Sequence, residues 1–396
     1  MRVESLSILR VRGSYVAGPE PAASDCATPD GGGEAIESDF LQVRAGGGQV
    51  GLFGPIGTHQ SYFLLGSLRE RVVGADVFAY ERLRHEVYHA ERHGRSGHYV
   101  LALSALDCAL WDLRGKARGA SVMELLGGPV PESVPAYASL LGFDPDGDDA
   151  AQLARRVRDE GYAGQKWALR DTPLEGEGGL RRNVERVARL REAVGPYHSL
   201  SFDALGKWSV SYTLELCRRI GPFNIAWLEE PLPPGSAAAY ARLRSCGLPI
   251  AAGEHAYTRH EAFDLLDIGG IGILQPDLAW CGGITEGLKI AALCSARDVP
   301  LCPHGNGLIP ALQLAGALPA RAVPMVEYHL TVEPKRQFFL KHKFTPAGGC
   351  FDLPRASGLG IELDYSRVEQ MEELTDVGFV RRVLSGDAGR AASLAE

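Results

Sequence analysis

Acidic and histidine residues close successive short apolar runs at a nearly constant interval through this chain. Asp203 ends SLSFD, Glu229 lies in IAWLEEP, Glu254 in PIAAGEH, Asp277 in IGILQPD, His304 in PLCPHG and Glu327 in PMVEYH. The steps between them are 26, 25, 23, 27 and 23 residues. One strand, one helix and two short loops consume a comparable length of chain in a βα barrel. A parallel barrel gathers the C-terminal ends of its strands on one face, where active sites form. Residues far apart in sequence are therefore expected to meet, and their chemistry points to a metal-dependent enzyme.

The strand-then-helix rhythm begins near residue 133. The expected strands are VPAYASL, GQKWAL, LSFDA, IAWLEE, PIAAGE, IGILQPD, PLCPHG and PMVEYH. Helical periodicity separates them, in DDAAQLARRVRDE, RNVERVARLREAV, SYTLELCRRI, AYARLRSCG, RHEAFDLLDIG and TEGLKIAALCSARD. This alternation favours a closed barrel over an open sheet, and no glycine fingerprint follows the first strand. Residues 1–130 read differently. SLSILRVRG and DFLQVRAGG alternate like strands of a small antiparallel sheet. A Gly- and Pro-rich loop is expected between them, and a second irregular loop at GLFGPIGTHQS. Helical pattern then builds to LALSALDCALWDLRGKARG, and Gly127-Gly128-Pro129 closes the region. After PMVEYH the chain turns irregular and ends in a polar tail expected to fray.

Composition removes several alternatives. A formal net charge of −8 argues against a nucleic-acid or anionic-membrane surface. No apolar run is long enough to span a bilayer, and the alternating N-terminus does not read as a signal peptide. The eight cysteines form no CxxC pair, so reduced, buried thiols in a cytoplasmic protein are expected.

Asp203, Glu229 and Glu254 suit a hard divalent cation such as Mg²⁺, which prefers oxygen ligands and keeps places for water and substrate. Glu229 and Glu230 compete for one ligand position, because strand alternation turns them to opposite faces. Asp277 and His304 end neighbouring strands, so a carboxylate–imidazole hydrogen bond would orient the ring and raise its basicity. His304 is then the general base. Glu327 is expected to serve a developing oxyanion, provided that burial raises its pKa.

LALSALDCALWDLRGKARG, the D…E…E ladder, QPDLAWCGG and PHG together resemble the enolase superfamily, specifically its mandelate racemase-like group. The resemblance covers essentially the whole chain. It implies a modified (β/α)7β barrel over residues 131–340. It also implies an α+β capping domain over 1–130, completed by a returning segment, 341–396. Asp203, Glu229 and Glu254 match the family's ligands for one Mg²⁺ per active site, Asp277 and His304 its His–Asp dyad, and Glu327 its oxyanion-side glutamate. The implied chemistry is abstraction of a proton alpha to a carboxylate, with the metal stabilising the enediolate. Relatives form dimers to octamers, so a homo-oligomer is implied.

Two departures shape the expected reaction. GQKWALR carries Lys166 and then Ala168, where racemases and cycloisomerases of this group present a second lysine as the opposite-face base. Lys166 remains available to stabilise substrate charge. Leu205 stands where many relatives carry Asn. One-base chemistry is typical of the group's acid-sugar dehydratases, which expel the β-hydroxyl to give a 2-keto-3-deoxy acid. WLEEPL, GEH and QPDLAWCGG look most similar to the rhamnonate dehydratase-like members. Capping loops Ala17–Glu34 and Gly54–Ser61 are expected to read the substrate, with His59 and Lys207 as pocket candidates. A racemase or epimerase of the same superfamily and a catalytically silent binding homologue are the alternatives. His85-Glu86-Val87-Tyr88-His89 also matches the H-E-x-x-H zinc-protease motif, but lacks its extension and lies outside the barrel.

Overall fold

A computed structural model describes residues 1–16, 34–235 and 237–378. The Gly- and Pro-rich loop of residues 17–33, with Cys26, and the final tail lie outside the described residues.

The chain opens with three antiparallel strands, β1 (Val3–Tyr15), β2 (Glu34–Ala45) and β3 (Gln49–Ile56). β3 and the helix Thr58–Phe63 replace the irregular loop expected at GLFGPIGTHQS. Its glycines mark close packing and not a turn. A Cβ on Gly51 would stand 2.2 Å from the carbonyl oxygen of Ala109, and one on Gly54 would stand 2.6 Å from the Phe40 ring. The backbone that presses on Gly51 belongs to the helix His98–Arg118, which stops at left-handed Gly119. Both flanks of that helix are buried, one against the sheet and the other against the barrel. Asp112, at its centre, accepts from the backbone N–H of Leu52 and of Leu359, each at 2.8 Å, satisfying donors of two separate segments.

The barrel follows as β4 (Val134–Ser139), β5 (Gly164–Ala168), β6 (Ser199–Asp203), β7 (Leu228–Glu229), β8 (Ile250–Ala252), β9 (Ile273–Leu274) and β10 (Val326–His329). These strands pair in parallel in chain order from β4 to β9, and β10 pairs β4. PLCPHG closes the ring without forming a regular strand. Leu301 makes a single parallel bridge to Leu274, and its N–H donates to the carbonyl of Ala322 at 2.9 Å. Pro300 and Pro303 cannot donate to a ladder, which accounts for the reduction to one bridge. Helices cover the outside at Ala150–Asp159, Gly176–Val194, Val210–Ile220, Ala237–Tyr240, Arg259–Asp267, Gly283–Ala296 and Leu308–Ala317. The architecture is thus a (β/α)7β barrel beside an antiparallel α+β cap. The helix Leu308–Ala317 was not among the expected helices: every residue in it is buried, so it shows no amphipathic stripe. AYARLRSCG yields only one short turn of α-helix continued as 3₁₀.

The last segment serves both bodies. β11 (Cys350–Phe351) pairs β4 under the barrel, and β12 (Gln370–Leu374) pairs β1 at the edge of the cap sheet. Inside the barrel, Tyr137, Trp227, Ala251 and Cys302 form an apolar floor. Alternation along the strands places polar side chains in the layers above it.

Candidate active site

Lys166 on β5 is the centre of the first polar layer. Its ammonium is fully buried, in an ion pair with Glu229 Oε1, 2.9 Å from Glu327 Oε1 and 3.6 Å from Asp203 Oδ2. Burial alone would discharge this lysine, but Glu229, Glu327 and Asp203 hold its pKa well above the ordinary value. Glu229 is also tethered through Oε2, which accepts from Gln275 Nε2 at 2.7 Å and Trp227 Nε1 at 3.0 Å. Gln275 escaped notice in the sequence, although it stands two residues before Asp277 and shares its strand face.

Glu230 does not obey the alternation expected of it. Its φ of +35° takes the chain out of the strand, and Oε1 accepts from the N–H of Gly253 at 2.9 Å. Both glutamates therefore reach the mouth. Burial is the largest cause of three upward shifts here, with neighbouring carboxylates adding to it. Asp203 is pushed up to about 6, and Glu229 and Glu230 to about 8 each. The cluster crowds more carboxylates together than one ammonium can pair, and a hard divalent cation would relieve the crowding that resists their ionisation. Glu254 completes the candidate ligand set. It accepts no hydrogen bond among the described residues and stands 3.3 Å from His304 Nε2 and 3.4 Å from His255 Nδ1. No three acidic, His or Cys side chains form a coordinating group among the described residues.

The dyad expected from neighbouring strand ends is present. His304 Nδ1 and Asp277 Oδ2 are 2.7 Å apart. Asp277 is held in turn by the N–H groups of Ala279 (2.7 Å, to Oδ1) and Gly307 (3.2 Å, to Oδ2). Burial opposes a charge on His304, but Glu254 and Asp277 outweigh it and push its pKa up to about 10. The Trp280 ring lies 5.0 Å from the His304 ring and 6.1 Å from that of His255.

Glu327 corrects an expectation. Burial does act to raise its pKa, but Lys166, His304 and His329 together pull it below the ordinary carboxylate range. Its carboxylate pairs with Lys166 and accepts from the N–H of Gly305 at 2.9 Å, so the condition of a raised pKa is not met in this arrangement. Ala168 is buried beside Asp203 in the β5–β6 register. The two pocket candidates, His59 and Lys207, are not drawn into the cluster. His59 is exposed and stacks on His98 at 4.4 Å, and Lys207 is exposed in the turn after β6. In HEVYH, His85 and His89 are exposed, and Glu86 pairs with Arg82 at 2.8 Å instead of facing a shared metal.

The cap is fastened to the loop that follows Asp277. Gly282 N–H donates to Ser104 Oγ at 2.7 Å, and Thr285 N–H donates to Asp107 Oδ2 at 2.9 Å. Thr285 Oγ1 donates to Asp107 Oδ1 at 2.6 Å and accepts from Trp111 Nε1 at 2.9 Å. LALSALDCALWDL and QPDLAWCGGIT are thus two halves of one joint.

Comparison with known proteins decides the family. Residues 148–367 match the enolase C-terminal domain-like model, and 40–127 match the mandelate racemase/muconate lactonizing enzyme N-terminal domain. The chain belongs to the mandelate racemase/muconate lactonizing enzyme family of the enolase superfamily. L-rhamnonate dehydratase of Saccharopolyspora erythraea is 33% identical over 335 residues, covering 82% of each chain. D-galactarolactone cycloisomerase of Agrobacterium fabrum is 36% identical over 309 residues, 74% of this chain and 80% of that one. Among solved structures, rhamnonate dehydratase from Gibberella zeae complexed with Mg superposes with a TM-score of 0.78 at 26% identity, covering 92% and 95% of the two chains. No helix among the described residues is long and apolar enough to cross a membrane.

Proposed function

We propose that this member of the family is an Mg²⁺-dependent hydro-lyase that dehydrates an acid sugar, an aldonic acid, to a 2-keto-3-deoxy acid. The observation that carries the reading is a single oriented base. His304 is backed by Asp277 at 2.7 Å, and Ala168 occupies the place where a second base would stand. Asp203, Glu229 and Glu254 would hold the cation, as the carboxylate excess around Lys166 supports. A bound Mg²⁺ supplies positive charge that makes the α-proton of a carboxylate acidic enough to remove.

In its neutral form, with Nδ1–H donated to Asp277, His304 accepts that proton at Nε2, and the C–H electron pair passes into the carboxylate to give the enediolate. Lys166 offers its ammonium to the charge that develops, held in place by Glu327. The enediolate collapses, the β-carbon–oxygen bond breaks, and the His304 imidazolium returns its proton to the departing hydroxyl, which leaves as water. The resulting enol tautomerises to the ketone. In this scheme the cap that β12 of the returning segment completes would read the substrate, and the barrel strands would carry catalysis.

A screen of aldonic acids for 2-keto-3-deoxy product, with Mg²⁺ and with a chelator, tests the reading. His304→Asn should abolish both dehydration and α-proton exchange in D₂O while leaving Mg²⁺ binding intact. Exchange that persists in this variant removes His304 as the base. The relationship to D-galactarolactone cycloisomerase favours a second reading, isomerisation. Mass spectrometry separates the two, since only dehydration loses water.

A further inference from the structure

β10 carries a second inward-facing residue beyond Glu327. Tyr328 packs outward, edge-on to Phe351 at 5.9 Å, so Glu327 and His329 share the inner face. In register, His329 lies opposite Ser139 on β4, and Ser139 lies opposite Lys166 on β5. The imidazole therefore stands at the rim of the mouth, on the flank where Ala168 ends at its Cβ.

The ring is positioned and yet incompletely used. Its Nδ1 lies 3.3 Å from Thr331 Oγ1, and Thr331 is lodged against Gly142, where a Cβ would stand 2.6 Å from that oxygen. Nε2 has no partner among the described residues. The neighbouring Ser139 Oγ is buried without a partner as well. A buried hydroxyl without a partner calls for a ligand oxygen or an ordered water, and the half-buried His329 on the adjacent strand offers a second polar atom beside it. Burial, with Lys166, His304 and Arg336, pulls the His329 pKa down to about 4 against the opposing pull of Glu327. A neutral ring offers one hydrogen bond and no charge, which matches a hydroxyl better than a carboxylate or phosphate.

We infer that His329 is a specificity-determining residue, with Nε2 hydrogen-bonded to a hydroxyl of the acid sugar on the Lys166 side of the mouth. The inference rests on the dehydratase reading. The test compares wild type, His329→Leu and His329→Gln on the aldonate that wild type dehydrates fastest, and on the monodeoxy analogues of that aldonate. His329→Leu should raise KM about 5- to 10-fold, as loss of one neutral hydrogen bond does, with a smaller change in kcat. His329→Gln, whose amide reaches the Nε2 position, should restore most of the affinity. On the analogue lacking the contacted hydroxyl, wild type and His329→Leu should converge. A His329→Leu KM equal to that of wild type, or a loss confined to kcat, overturns the inference while the dehydratase reading stands. A wild type that dehydrates no aldonate removes the reading and this inference together. Should His329→Leu fail to fold, Thr331→Val decides: it frees Nδ1 and should raise KM in the same direction, and an unchanged KM again overturns the assignment.

Discussion

Asp277→Asn isolates what the dyad contributes, because the aspartate is completely buried and water cannot repair the change. Each of its oxygens has a job. Oδ1 accepts from Ala279 N–H at 2.7 Å, while Oδ2 accepts from Gly307 N–H at 3.2 Å and meets His304 Nδ1 at 2.7 Å. An asparagine can serve only one side. With its oxygen toward His304, the new amide opposes the N–H of Ala279 across the shorter contact. With the amide toward His304, it opposes Gly307 across the longer contact and donates to Nδ1. The second orientation costs less, and one opposed buried donor is worth about 1–3 kcal/mol. That orientation makes Nδ1 an acceptor and moves the ring proton to Nε2, where the α-proton must be taken. Expected outcomes are a stability loss of about 1–3 kcal/mol in urea unfolding and a fall of roughly 10²- to 10⁴-fold in α-proton exchange by NMR in D₂O. Mg²⁺ binding by calorimetry should be unchanged. If Asp277→Asn keeps most of the wild-type exchange rate, the orienting role is refuted.

Three further outcomes follow from the packing and the charges. Gly51→Ala should destabilise the cap by about 1–3 kcal/mol in denaturant, since the new methyl meets helix backbone that cannot yield; an unchanged midpoint contradicts that. Leu205 adopts φ +56° on an exposed loop, so Leu205→Gly should stabilise by about 1 kcal/mol, and a lowered midpoint would show that the side chain matters more than the backbone. Asp171 is held below the usual carboxylate range: burial pushes it up, but hydrogen bonds from Arg182 and Arg186 prevail. Its contribution is present above the unfolded value of about 4 and is lost as pH falls through the folded value, so Arg186→Met should flatten the acid limb of a stability–pH curve. An acid limb of unchanged steepness would exclude the Arg186 pairing as a cause.

The recurrence of Asp203, Glu229, Glu254, Asp277, His304 and Glu327 was legible because strand ends in a parallel barrel must share one face. That is a property of spacing and pattern, which a sequence carries directly. β3 and the helix Leu308–Ala317 were not legible, for opposite reasons. The first is broken by glycines that other backbone presses against, and the second is so buried that no polar face marks its period. His329 and Gln275 were readable in principle from alternation with Glu327 and Asp277.

Residue types and their intervals thus determined the barrel, the acidic cluster and the partnership of Asp277 with His304. Tertiary structure alone set the direction of the pKa shifts. The oxyanion role read for Glu327 depended on burial raising its pKa, but Lys166 arrives from a strand two places away and reverses the direction. Glu230 likewise left its expected face through a left-handed backbone turn that no local pattern announces. Alternation depends on neighbours in the chain, whereas electrostatics depends on neighbours in space.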